Sequence, residues 1–270
     1  MKEKDMSKIL PTYFISHGGG PWPWVPQMRE IFLPLEAALK EMVANLGEKP
    51  NAILMISGHW EEQSVAIMSA AKPPMLYDYS GFPPETYKIT YGAPGAPTLA
   101  KQTLALLNQS GIKARLDNER GFDHGTFAPM AVMFPEADIP LFQISMLNSY
   151  DPAAHLAIGR ALAPLREQGV MIVGSGLSMH NLRLRNGQGA APSAAFDSWL
   201  FETMMSDPST RRQRIIEWEN APSARICHEY EDHLVPLFVA LGAAENDIAT
   251  RIYHNVSSFT GNTVSNYQFG

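Results

Sequence analysis

Three of the chain's eight histidines close apolar runs that read as buried strands. His17 ends Pro11-Thr12-Tyr13-Phe14-Ile15-Ser16 and opens onto Gly18-Gly19-Gly20. His59 ends Ala52-Ile53-Leu54-Met55-Ile56-Ser57-Gly58, and His180 follows Val170-Met171-Ile172-Val173-Gly174-Ser175-Gly176. Ligands of an open α/β sheet bind just beyond the carboxyl ends of its strands, so three imidazoles delivered to that edge can converge on one metal ion. Imidazole is the commonest metal ligand and also exchanges protons near neutral pH. These residues read as a metalloenzyme.

Each histidine has a plainer alternative. His17 can cap a strand at a tight turn, although a phosphate-binding loop is disfavoured because no Gly-Lys-Ser/Thr follows. His59 can pack beside Trp60, with Glu61 and Glu62 as a solvated face. His124, in Gly121-Phe122-Asp123-His124-Gly125, reads as a loop residue, either a turn or a group placed for acid–base work. His228 and His233 fall on one predicted helix, five residues apart, and so point well over 90° apart. Both therefore cannot reach one ion from one face. His155 and His254 read as structural or solvent-exposed.

The elements that position these side chains alternate. After the His17 strand, Ile31, Leu35, Ala38, Leu39, Met42 and Leu46 repeat at helical spacing, with Gly47 as a stop. The His59 strand follows, then a stretch over 72–97 rich in Pro, Gly and Tyr, too long for a simple connection and expected as an ordered lid or pocket wall. A helix through Leu99 and Leu107 ends at Gly111. Strands are expected around 112–116 and 139–146. Asp151-Pro152 is an N-cap with proline in the first turn, opening a helix that stops near Gly169. The His180 strand, helical stretches at 193–206 and 209–219, a helix over 222–241 and a last strand from Ile248 to Val256 complete the order. This alternation predicts an α/β fold: a single domain over residues 1–270, with a largely parallel central sheet flanked by helices on both faces.

The bulk composition excludes several classes. The 270 residues are 45% apolar and 18% charged, with a net charge of −6, which offers no attraction for nucleic acid or an anionic membrane. The single cysteine, Cys227, excludes an internal disulfide and suits a reducing compartment. The segment Met1–Lys8 is no signal peptide, and no apolar run is long enough to span a bilayer. The expected location is the cytoplasm.

Taken together, the segments resemble the class III extradiol ring-cleaving dioxygenases, the LigB-type superfamily, and in particular its DOPA 4,5-dioxygenase branch. The resemblance covers almost the whole chain. Its motifs are Ile15-Ser16-His17-Gly18-Gly19-Gly20-Pro21, Ile56-Ser57-Gly58-His59-Trp60, Tyr77-Asp78-Tyr79-Ser80-Gly81-Phe82-Pro83 with Tyr91-Gly92-Ala93-Pro94-Gly95, Gly121-Phe122-Asp123-His124-Gly125, Gly174-Ser175-Gly176 with His180-Asn181-Leu182-Arg183, and His233 before Pro236-Leu237. The resemblance implies a catalytic Fe²⁺ held by His17, His59 and His233. It implies His180 as second-sphere base and possible fourth ligand, and His124 as a second acid–base group. Relatives outside this branch use a glutamate as third ligand; three imidazoles also suit Zn²⁺, which can occupy the same site. The implied partners are a small aromatic diol, DOPA-like or otherwise substituted, and O₂, with a muconic semialdehyde as product. Gly92, Leu177-Ser178-Met179 and the C-terminal Gly261–Tyr267 depart from the branch pattern. Those departures bear on the substrate more than on the reaction.

Two other readings compete: a zinc-dependent hydrolase on the same scaffold, with His180 as base, and a non-enzymatic binding protein of the Memo type. Acid–base histidines beyond the metal set favour an enzyme. Arg183 can face an anionic substituent or lie at the surface, and Tyr77, Tyr79, Tyr87 and Tyr91 can pack on an aromatic ring or belong to the core. The substrate-binding residues and the oligomeric state, monomer or small homo-oligomer, stay open.

Overall fold

A computed structural model describes residues 9–184 and 187–270. The strands are β1 (Thr12–Ser16), β2 (Ala52–Glu62), β3 (Val65–Met68), β4 (Ala114–Asp117), β5 (Leu141–Leu147), β6 (Val170–Gly176), β7 (Ala249–Val256) and β8 (Thr263–Phe269). The helices are α1 (Pro26–Ile31), α2 (Leu33–Ala44), α3 (Pro97–Gln109), α4 (His124–Met133), α5 (Pro152–Leu162), α6 (Ala190–Met205), α7 (Pro208–Ile216), α8 (Ala224–Cys227) and α9 (Val235–Gly242). The strands form one sheet in the order β4-β3-β5-β2-β6-β1-β8-β7. Its centre, β5-β2-β6-β1, is parallel. β3 joins β5 and β8 joins β1 in antiparallel fashion. The central strands are apolar and almost wholly buried, as parallel strands covered on both faces must be.

Strand β6 shows both faces covered. A β-carbon at Gly174 would come within 2.3 Å of the Pro236 carbonyl oxygen in α9. From the opposite face, the Ser175 hydroxyl donates to the Gly125 carbonyl in α4. Helix α5 begins as its cap predicts, with Asp151 Oδ1 accepting from the Ala153 amide at 2.9 Å. Among the described residues, no helix is long and apolar enough to cross a membrane.

Three sequence expectations need correction, and a fourth is narrowed. The helix over 222–241 is two short helices, α8 and α9, separated by 228–234. Pro236 cannot donate to the carbonyl four residues back, and its ring clashes there, so no helix runs through. His228 and His233 thus share no helix. His124 is the first residue of α4, not a loop residue. β7 is not the last strand: it is followed by β8, whose buried Thr263, Ser265, Tyr267 and Phe269 alternate with half-buried Val264 and Gln268. Finally, 72–97 is pinned to itself and to the core: Tyr77 and Tyr79 donate to the Ile89 and Thr86 carbonyls at 2.6 Å, and Tyr91 to Phe134 at 2.9 Å. Of the two expectations for this segment, lid or pocket wall, these bonds favour the wall.

His155 is structural. Its Nδ1–H donates to the Asp151 carbonyl at 2.7 Å, and its Nε2 accepts the Leu147 amide at 3.0 Å. The ring is fully buried, and burial, opposed by the Asp151 carbonyl, lowers its pKa to about 4. The neutral ring joins the end of β5 to the start of α5. His155→Ala leaves buried groups without partners, so we expect a loss of about 1–3 kcal/mol in urea unfolding. A folded pKa below the unfolded value gives stability that is full above about pH 6.5 and lost as pH falls toward 4. The gap between wild type and variant therefore narrows from pH 7.5 to pH 5. A gap independent of pH would refute this role.

Candidate metal centre

The site forms at the carboxyl edge of β1, β2 and β6. His17 follows β1, and its amide donates to the Gly176 carbonyl at 3.2 Å. Gly18 then turns with φ +79°, and Trp22 Nε1–H donates back to the His17 carbonyl at 2.8 Å. His59 lies within β2, where pairing with β5 shifts register between Ile56 and Glu61; such an irregularity re-aims a side chain. His233 precedes α9 and lies against β6. A β-carbon at Gly176 would sit 2.0 Å from the His233 carbonyl oxygen, so only glycine admits that segment.

Five histidines meet here. The ring centroids of His17, His59 and His233 form a near-equilateral triangle with sides of 4.9, 5.1 and 4.8 Å. His124 lies 4.1 Å from His59 and 5.3 Å from His17. His180 stacks on His233 at 3.5 Å, 17° from parallel. Nearly parallel rings keep their in-plane lone pairs in nearly parallel planes. Measured by ligand atoms rather than centroids, His17, His59 and His124 fall within 4.8 Å of one another, as do His180, Asp232 and His233. The five rings thus form one cluster, and the expected triplet is one of several within it.

The donor set fits a metal. Nε2 of both His17 and His59 is buried without a hydrogen-bond partner. His17 Nδ1 lies 3.0 Å from the Gly18 carbonyl, which fixes Nδ1–H and leaves the Nε2 lone pair free. Burial, reinforced by neighbouring rings, holds His17 and His59 well below the ordinary histidine pKa. Burial also lowers His180, to about 4, and His233, with Asp232 opposing it in both. Neutral rings are what a cation requires.

Three carboxylates stand behind the histidines, and none was assigned from sequence. Asp78 Oδ1 accepts from the His124 amide and lies 2.9 Å from His124 Nδ1, while its Oδ2 is 3.5 Å from His59 Nδ1. Asp232 Oδ2 lies 3.0 Å from His233 Nδ1, an ion-pair distance but off the line of a hydrogen bond, and its Oδ1 is 3.9 Å from His180 Nδ1. Fully buried Asp123 caps α4 through the Thr126 amide. It also accepts from Ser57 Oγ at 2.7 Å and from Arg120 and Gln143 at 2.8 Å. Arg120 extends the network to the His59 carbonyl at 3.0 Å. The sequence cue for these acids was adjacency to motif histidines and tyrosines.

The remaining candidates fall outside. His228 is fully buried, with Nε2 3.0 Å from the Ser178 carbonyl. His254 is exposed on β7 beside Asp197. Arg183 is exposed and paired with Glu229. Glu61 and Glu62 line a separate open cleft with His59 at its edge. Of the tyrosines, Tyr79 comes nearest, 6.0 Å from the His124 ring.

Residues 11–270 match the family model described as the catalytic LigB subunit of aromatic ring-opening dioxygenase. The chain belongs to this family. It is 38% identical to the 4,5-DOPA dioxygenase extradiol of Beta vulgaris over 97% of each chain. It is 36% identical to the dioxygenase tasH of Hapsidospora irregularis over 97% of this chain and 86% of that one. The crystal structure of an uncharacterized protein from Escherichia coli K12 superposes with a TM-score of 0.77 at 26% identity, covering 97% of this chain and all of that one. The LigB-family assignment makes the protein an extradiol ring-opening dioxygenase, and LigB dioxygenases are metal-dependent.

Asp123→Ala removes the cap of α4 and strands Arg120, Gln143 and Ser57. Breaking such a buried pair costs about 3–5 kcal/mol, and we expect that loss in chemical unfolding, with Asp123→Asn intermediate. A loss below about 1 kcal/mol in the alanine variant would show that the network contributes little.

Proposed function

We propose that the protein is a non-haem Fe²⁺ extradiol dioxygenase that opens a catechol-type ring, DOPA-like or otherwise substituted, with O₂ to a muconic semialdehyde. The observation that carries this reading is the pair of buried, unpartnered Nε2 atoms on His17 and His59, facing a triangle completed by His233. In this reading His17, His59 and His233 hold the metal. Ferrous iron there would supply open coordination positions and the electron transfer that redox-inert zinc cannot.

The chain's own residues handle protons. Nε2 of His180 takes a hydroxyl proton from the diol, because Nδ1 faces Asp232. His124 presents Nε2 as the acid that protonates oxygen as the ring opens, since Asp78 occupies Nδ1. Asp78 is therefore a positioning residue, held between two tyrosines whose hydroxyls pin its loop. The carbon–carbon bond beside the diol breaks, and both atoms of O₂ end in the product. The stacked His180–His233 pair makes His180 a spare ligand rather than an obligatory one. We take residues 1–270 as one catalytic domain. Its lone cysteine, free and buried, supports a cytoplasmic setting.

Replacing His17, His59 or His233 by alanine is expected to strip the metal, measured by elemental analysis, whereas His155→Ala and His254→Ala retain it. His180→Phe and His124→Phe keep iron and lose about 10²–10⁴ in kcat. Iron lost from His180→Phe would make His180 a ligand; full turnover in both would return them to structural roles. Asp78→Ala adds little to the defect of His124→Phe, and an additive loss would separate the two residues.

Fe²⁺-loaded protein consumes one O₂ per catechol and yields a yellow semialdehyde, whereas Zn²⁺-loaded protein binds catechol without turnover. No oxygen uptake across a broad catechol panel would remove the dioxygenase reading. Ester or amide turnover by the zinc form would then favour a hydrolase, for which the all-imidazole set is also suited.

A further inference from the structure

Leu177-Ser178-Met179 and the C-terminal Gly261–Tyr267 are far apart in sequence. In the fold they meet, the Ser265 amide donating to Ser178 Oγ at 2.8 Å, and Leu177, Met179, Asn262 and Val264 line one pocket of about 200 Å³. Phe32, Leu35, Leu177, Met179, Phe259 and Val264 supply its apolar wall. Ser16, Gly18 and Gly19, which flank His17, and His180 line it as well, so the pocket lies beside the histidine cluster. Its polar groups are neutral, Tyr253, Asn255 and Asn181 among them. Among the described residues, no Asp, Glu, Lys or Arg lines it. Arg183, the basic residue nearest to His180 in sequence, is exposed and committed to Glu229.

An anionic or zwitterionic side chain against this wall would give up part of its water and meet no counter-charge among the described residues, which is costly. An alkyl or aryl group loses nothing and buries apolar surface. Ligand pockets of this kind, an apolar body with a few neutral polar groups, fix orientation through shape and one or two hydrogen bonds. We propose that this pocket, lined on one side by the β7–β8 hairpin, binds the substituent on the catechol ring and selects an apolar, uncharged one over an amino-acid or carboxylate side chain. The inference rests on the dioxygenase reading for the position of the ring. The pocket's chemistry stands apart from it.

Calorimetry on Zn²⁺-loaded protein tests it with catechol, 4-butylcatechol, DOPA and 3,4-dihydroxybenzoate. We expect 4-butylcatechol to bind at least about tenfold more tightly than catechol, a fraction of what full burial of its chain allows, and both carboxylate-bearing catechols to bind more weakly than catechol. Val264→Asp and Phe259→Ala reduce the butyl advantage to less than about threefold while leaving catechol binding unchanged. Equal binding of catechol and 4-butylcatechol, tighter binding of either carboxylate, or an undiminished advantage in both variants overturns the proposal.

Oxygen uptake by the Fe²⁺ form separates the two ideas. Turnover of catechol with no gain from the butyl group sinks the pocket and keeps the dioxygenase. Butyl selectivity in the zinc form, with no oxygen uptake by the iron form, does the reverse.

Discussion

Five imidazoles packed within about 5 Å of their neighbours cannot all be charged, and most are shut away from water. The site depends on that constraint. Desolvation and mutual repulsion keep the metal-facing rings neutral, which turns buried nitrogens into lone-pair donors. Those nitrogens would be costly if left unsatisfied. A cation held among them would resolve the conflict, with Asp78 against Nδ1 of His124 and Asp232 against Nδ1 of His233.

Holding five rings in register requires backbones that approach more closely than side chains normally permit. Gly176 admits the carbonyl of His233. Gly125 brings the start of α4 onto β2, where a β-carbon would lie 2.5 Å from Ser57 Oγ and 2.9 Å from the His59 ring. Asp123 ties the same junction together by capping α4 while accepting from Ser57 and Arg120. The helix that carries His124 and the strand that carries His59 therefore move as one unit. The tyrosine-pinned segment 72–97 has a parallel task, because Tyr77 and Tyr79 fix the backbone on either side of Asp78.

Catalytic geometry and selectivity are built from different parts of the chain. The histidines and their carboxylates come from the central parallel strands, the segment before α9 and the wall that carries Asp78. The apolar pocket beside His180 is lined on one side by an antiparallel hairpin added at the sheet's edge. Exposed positions of that hairpin, Phe259 among them, can vary without disturbing the core, whereas β8 is mostly buried and Asn266 holds the Ser16 backbone beside His17. Substrate choice can therefore change while the chemistry stays.

Much of this was legible in the residues themselves. Continuous apolar runs mark buried parallel strands, and a histidine closing such a run must emerge at the carboxyl edge, so His17, His59 and His180 were readable as neighbours. His233 was not readable from spacing: α9 starts only at Val235, with Pro236 in its first turn, and Gly176, distant in sequence, clears room for the His233 backbone. β8 was missed because polar Ser265 and Asn266 are buried by pairing with side chains far along the chain, Ser265 with Asp197 and Asn266 with the backbone of Ser16. The carboxylates escaped notice for a similar reason, since an aspartate's partner is set by which ring the fold brings to it. Local sequence determined which side chains could do chemistry and which edge they would reach. Only the tertiary structure decided which nitrogens are left facing one another, because that depends on the hydrogen bonds that occupy the others.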